Sequence, residues 1–154
     1  MAPATASARC ESLREGEIAY WLFKSEPGAW SWDDQVKKGV EHWDGVRNHQ
    51  ANNNMKAMKV GDKGFFYHSV NEKRIVGIVE VVKPHYPDHT DKSGRFGMVD
   101  IKAVMPVKTP VTLADIKAEP RLEGMALVRQ SRLSVTPVAP AEWKIICSMA
   151  GVKP

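Results

Sequence analysis

Nine of the 12 aromatic residues in this 154-residue chain fall between Tyr20 and Tyr67, including four of its five tryptophans. Tryptophan is large, is usually well buried, and needs a partner for its N–H when it is. The plain reading of such a concentration is a core cluster. Trp21 lies inside the apolar run Tyr20-Trp21-Leu22-Phe23 and reads as core. Trp30, Trp32 and Trp43 each sit among polar or turn residues, which sets them apart from a simple core cluster.

The length suits one domain. With 43% hydrophobic and 26% charged residues, the chain is neither collagen-like, coiled-coil nor fully disordered. No apolar run approaches the roughly 18 residues of a spanning helix. Cys10 and Cys147 stand near opposite ends and match no metal-binding spacing. Two thiols without a secretory signal fit a reducing compartment, the cytoplasm, or the nucleus of a eukaryote. Residues 1–17 read as a loose leader and 18–151 as the domain. The net charge of +4 is spread thinly, with no run of five or six basic residues. Contact with a polyanion is permitted by that balance, and nonspecific coating of DNA is not implied.

Ile18 to Lys24 reads as a buried strand. Ser31 caps a helix from Trp32 to Lys38, with Gly39 as its stop. Asn48 caps a second short helix reaching Met58. Further strands are expected over Phe65 to Ser69, over Ile75 to Val82 with Gly77 inside, and over Met98 to Val107. Thr112 caps a helix from Leu113 to Ala118 that Pro120 ends, and Pro140 opens a last helix, ended by Gly151. Leu127, Val128, Leu133 and Val135 are assigned to one or two short late strands, and Lys83 to Gly97 to a long, mobile, exposed loop. Strands and helices do not alternate regularly, so the fold class is α+β rather than a doubly wound sheet. A small, mostly antiparallel barrel or a highly curved sheet with short flanking helices fits best.

Four polar clusters end elements: Lys24-Ser25-Glu26-Pro27, Trp43-Asp44-Gly45-Val46-Arg47-Asn48, Tyr67-His68-Ser69 and Arg129-Gln130-Ser131-Arg132. Each alone could be a solvated turn. Together they suggest one mouth where element ends meet, a common place for a ligand pocket.

Tyr20-Trp21-Leu22-Phe23-Lys24-Ser25-Glu26-Pro27, Trp43 through Ala51, Phe65 through Ser69, and Leu127 through Ser134 together resemble the EVE domain family. That family takes in bacterial single-domain proteins and the thymocyte nuclear protein group. The resemblance covers roughly Ile18 to Gly151 and implies a PUA-like β-barrel, related in fold to YTH readers of methylated adenine and SRA readers of methylated cytosine. It also implies a pocket for a modified nucleobase. His49 departs from the pattern, in which many members carry an aromatic residue.

The residue chemistry is compatible with that role. Trp30, Trp43 and Tyr67 offer flat walls for a base. Ser25, Asn48, Ser69 and Gln130 can donate or accept at a base edge, and Glu26 can accept from an exocyclic amine. Arg47, Arg129 and Arg132 either grip phosphate or pair with Asp44, Glu26 or Asp100. Lys24 either joins them or ends its strand in solvent, and His68 and Ser131 complete the candidate ligand-binding set. The expected partner is nucleic acid or a nucleotide bound by a monomer, with no cofactor and no membrane.

Three rivals stand beside this reading. A hydrolase would use His68, Ser69 and Glu26, but the chain lacks a Gly-x-Ser-x-Gly elbow. A metal site would use His85, Asp88, His89 and Asp91, but Pro84 and Pro87 deny both histidines a helical spacing. The third is a protein-interaction module.

Overall fold

The computed structural model describes residues 18–26, 28, 30–44, 46–69, 72–130 and 132–152. The expected leader, together with Pro27, Gly45 and Ser131 of the polar clusters, lies outside these residues.

Six strands make one sheet in the order β2-β5-β4-β3-β1-β6. They are β1 (Tyr20–Ser25), β2 (Val40–His42), β3 (Lys63–His68), β4 (Arg74–Pro87), β5 (Gly97–Thr112) and β6 (Val135–Val138). β1 runs parallel to β3. The other pairings are antiparallel, as expected. Pairing leaves β2 and β6 as two ends, so the described sheet is not closed into a barrel.

Side chains alternate across the strands and build two cores. Leu22, Phe65 and Tyr67 face one side, covered by α3 (Leu113–Ala118), a 3₁₀ turn (Pro120–Leu122), α4 (Ala126–Arg129) and α5 (Pro140–Ala150). There Trp143 is stacked between Tyr20 and Phe65, with ring centroids 4.4 and 4.1 Å away. Burial pushes the Cys147 thiol beside it up to about 11. Trp21, Phe23 and Phe66 face the other side, covered by α1 (Trp32–Lys38) and α2 (His49–Lys56). Among the described residues no helix is long and apolar enough to cross a membrane.

The helix starts follow from local chemistry. Ser31 and Asp34 form a reciprocal capping box on α1, as do Thr112 and Asp115 on α3. The Asn48 side chain accepts the Ala51 N–H at the head of α2. Two expectations are overturned. Leu127 and Val128 lie in the short helix α4, where Leu127 packs into the core, rather than in a strand. The segment Lys83 to Gly97 is no open loop: β4 runs to Pro87 and β5 starts at Gly97. Its remaining turn is pinned by Asp91, which accepts from the Ser93 hydroxyl and from the Phe96 and Ser93 N–H groups; the hydroxyl bond first, then the two amides, holds its carboxyl below the usual range. β2 was not anticipated, since three residues carry no readable periodicity.

Gly77 shows why β4 tolerates a glycine in its interior. The Trp32 indole lies flat on its backbone, and a methyl group there would come within 2.5 Å of the ring carbons. Gly77→Ala is expected to lower stability by about 1–3 kcal/mol through overpacking, read as a lower denaturant midpoint. An unchanged midpoint would mean that the indole is not seated on that strand.

Candidate functional site

Parallel pairing brings two polar strand ends together. Ser25 stands opposite His68 at the last pair of β1 and β3, and the Ser69 N–H donates to the Ser25 carbonyl at 2.9 Å. The Lys24 N–H donates to the Ser134 carbonyl, also at 2.9 Å, which draws in the segment before β6. Beyond β1 the chain turns back. Trp30 donates its backbone N–H to the Glu26 carbonyl at 2.8 Å, and the Ser25 hydroxyl donates to the Trp30 carbonyl.

The half-buried Trp30 indole is oriented by Gln35. Its Nε1–H donates to Gln35 Oε1 at 3.0 Å. Gln35 is wholly buried, and its Nε2 donates to the carbonyls of Gly39 and Ile101 at 3.1 and 3.3 Å. Both ends of the buried carboxamide are therefore satisfied, which fixes its rotamer. Trp43 follows β2, tied by its N–H to the Val99 carbonyl at 2.7 Å. Its ring stands edge-on to Phe23 and Phe66, at 5.5 and 5.8 Å.

Both tryptophans line one cleft of about 580 Å³. Lys24, Ser25, Glu26 and Trp30 line it from the β1 end, and Glu41, His42, Trp43, Asp44, Val46 and Arg47 from β2 and beyond, with Ser134 beside them. That volume is within the roughly 300–1,000 Å³ of small-molecule sites. Burial lowers the Lys24 ammonium below the usual lysine range.

The structure brings together Lys24, Ser25, Glu26, Trp30, Trp43 and Arg47 of the expected set. Arg129, Gln130 and Arg132 instead line a second depression of about 370 Å³, with Asn48, Gln50 and Leu133. The two depressions border the same segments, Val46 to Asn48 and Leu133 to Ser134. Arg129 is exposed and donates through Nε to the Glu123 carbonyl.

Tyr67 lines neither. Strand alternation turns it to the face opposite Phe66, into the core under α3 to α5, where burial pushes its phenol up to about 12. His68 is buried, with both ring nitrogens engaged. Nε2 accepts the Trp32 N–H at 2.9 Å, and Nδ1 lies 2.9 Å from Glu72 Oε1. Its carboxylate partner is thus Glu72, not Glu26, and a backbone amide occupies the nitrogen that a serine hydroxyl would need. Glu72 is held below its usual range chiefly by this bond. Arg47 pairs with none of the partners weighed for it. Its Nη1 meets the buried Asp88 carboxylate at 3.1 Å and its Nη2 donates to Thr90 Oγ1 at 2.9 Å.

The expected metal ligands separate. His85 Nε2 lies 2.9 Å from Asn52 Oδ1, Asp88 holds Arg47, and Asp91 holds its own turn. Glu41, His42, Asp44, Val46 and Ser134 were missed as lining residues. Asp44 and Val46 lie inside the Trp43–Asn48 motif and could have been included. Glu41 and His42 depend on the unanticipated β2.

The comparisons agree with this architecture. A solution structure of Rpa0253 from Rhodopseudomonas palustris shares 60% identity with a TM-score of 0.83, over 87% of this chain and 94% of that one. Human THYN1, crystallised in complex with 5-methylcytosine-containing DNA, shares 32% identity and a TM-score of 0.81, over 88% of this chain and 99% of that one. Thymocyte nuclear protein 1 of Gallus gallus is 35% identical over an alignment of 181 positions, gaps included, that covers 91% of this chain and 73% of that protein. The EVE domain model matches residues 19–149, which takes in every strand and nearly all of α5, and the chain therefore belongs to the EVE domain family.

Proposed function

We propose that this protein binds nucleic acid, seating one modified base in the cleft lined by Trp30 and Trp43 and performing no chemistry on it. The observation that carries the reading is the pair of half-buried indoles that line one cleft together with polar side chains. The human relative's capture of DNA containing 5-methylcytosine supports the same class of ligand. A base leaving its stack needs flat walls and a few edge-reading groups. Trp30 and Trp43 supply the walls, and Lys24, Ser25 and Glu26 face the base edge. Arg129, Gln130, Ser131 and Arg132 follow the phosphates alongside. Asn48, Tyr67, His68 and Ser69 contribute from behind, by holding the elements that frame the cleft. Arg47 holds its rim. The curved open sheet is taken as this chain's form of the family's PUA-like barrel. The protein acts as a monomer in the cytoplasm, or in the nucleus of a eukaryote.

Stacking of one base is worth about 1–3 kcal/mol. Trp30→Ala and Trp43→Ala should each weaken binding of a 5-methylcytosine oligonucleotide about tenfold or more and erase its preference over plain cytosine. Trp43 also packs on the core, so each variant's thermal midpoint is measured first and binding is read below it. Folded Trp variants that keep full discrimination would overturn the reading. So would a change of mass in oligonucleotide recovered from the parent protein.

The arginines give a different signature. Arg129→Ala or Arg132→Ala should weaken modified and plain oligonucleotides alike and reduce the salt slope by about 1. A loss confined to the modified oligonucleotide would assign that arginine to the base instead.

A further inference from the structure

We infer that His42, Asp44 and His89 form a binding site for a divalent late first-row metal ion, zinc being the natural probe, at the mouth of the cleft. One ligand atom from each of the three lies within 4.8 Å of the others. His42 Nε2 and Asp44 Oδ2 are 3.7 Å apart, and the His42 and His89 rings meet edge to face at 5.2 Å. Donors around a tetrahedral zinc at about 2.0 Å lie about 3.3 Å from one another, a spacing that the His42–Asp44 pair already approaches.

Three features make this more than a chance meeting of surface groups. The ligands come from two separate segments, β2 with its following residues and the turn between β4 and β5. Those segments are fixed to each other by Arg47 on the buried Asp88 and on Thr90, the two neighbours of His89. His42 also has the orienting partner that metal-bound histidines use, because its Nδ1 lies 3.3 Å from the largely buried Glu41 carboxylate. That contact leaves Nε2 to face Asp44. Two imidazoles and one carboxylate suit zinc and its neighbours in the series and not magnesium or calcium, which take oxygen. Three protein ligands leave a further position for water or for an oxygen of whatever fills the cleft, since His42 and Asp44 line it.

The test is calorimetric titration of the tag-free, chelator-treated protein with zinc chloride, with magnesium chloride as the control. One equivalent of zinc should bind and raise the thermal midpoint, and magnesium should not. His89→Ala and Asp44→Asn alter exposed side chains, so both should fold as the parent does, and each should weaken zinc binding about tenfold or more. Absence of zinc uptake, or uptake that neither substitution weakens, would overturn the assignment. No nucleic acid enters the titration, so its outcome is independent of the base-binding reading.

Discussion

The parallel pairing of β1 with β3 is the constraint on which the site depends. Antiparallel neighbours send consecutive strand ends to opposite edges, whereas parallel strands finish together. Here the shared finish sets Ser25 opposite His68, and it aligns the polar residues after β1 with those after β3. β1 is held on its other side by β6, so it is a central strand with both faces buried. Its apolar residues are divided between the two cores, and its polar residues are left for the end. The cleft lies where a two-faced strand runs out of core to fill.

Rigidity at that end comes from satisfied buried polar groups more than from charge. Gln35 joins the carbonyls of Gly39 and Ile101 to the indole of Trp30, and His68 holds the first amide of α1. Removing either partner would leave a buried donor or acceptor unmet, at a cost of about 1–3 kcal/mol each. An exposed ion pair such as Glu119 with Arg121 holds nothing of comparable value, since solvent screens it. The indoles of the cleft are therefore placed before any ligand arrives, and a preorganised wall spares the ligand the cost of ordering it.

Legibility in the sequence followed the range of the interaction. α1, α3 and α5 were placed at or within a residue of their observed bounds, because Ser31, Thr112, Pro140 and Gly151 act on their own neighbours. α4 was read as strand because its four residues are too few to show a helical period, and the burial of Leu127 under α3 is a tertiary fact. The far ends of β4 and β5 were hidden by Lys83, Pro84 and Pro87, which look like loop residues but sit where the hairpin is exposed. At the cleft, the motifs held the residues of the β1 end and Trp43 that line it together. Tyr67 was misplaced because strand alternation decides its face, and that becomes visible only when its neighbours Phe65 and Phe66 are assigned to their cores. Gln35 went unnoticed, since nothing in Asp34-Gln35-Val36 announces a carboxamide buried under a tryptophan.

The placement of charge has a consequence for what the cleft can hold. Glu26, Glu41 and Asp44 line it against Lys24 and Arg47, and Arg47 already spends its guanidinium on Asp88 and Thr90. Burial also disfavours the charged form of Lys24. Without a metal at its mouth, such a cleft presents a phosphate with three carboxylates and with an arginine already committed to Asp88, a balance of charge that disfavours the anion. A neutral base with an exocyclic amine meets acceptors instead. The uncompensated arginine charge lies next door at Arg129 and Arg132, on the far side of the same two bordering segments. On the proposed reading the molecule separates the two halves of a nucleotide by charge: the base enters the acidic, aromatic recess because its edge is polar and neutral, and the phosphate stays outside on the basic rim because it is not.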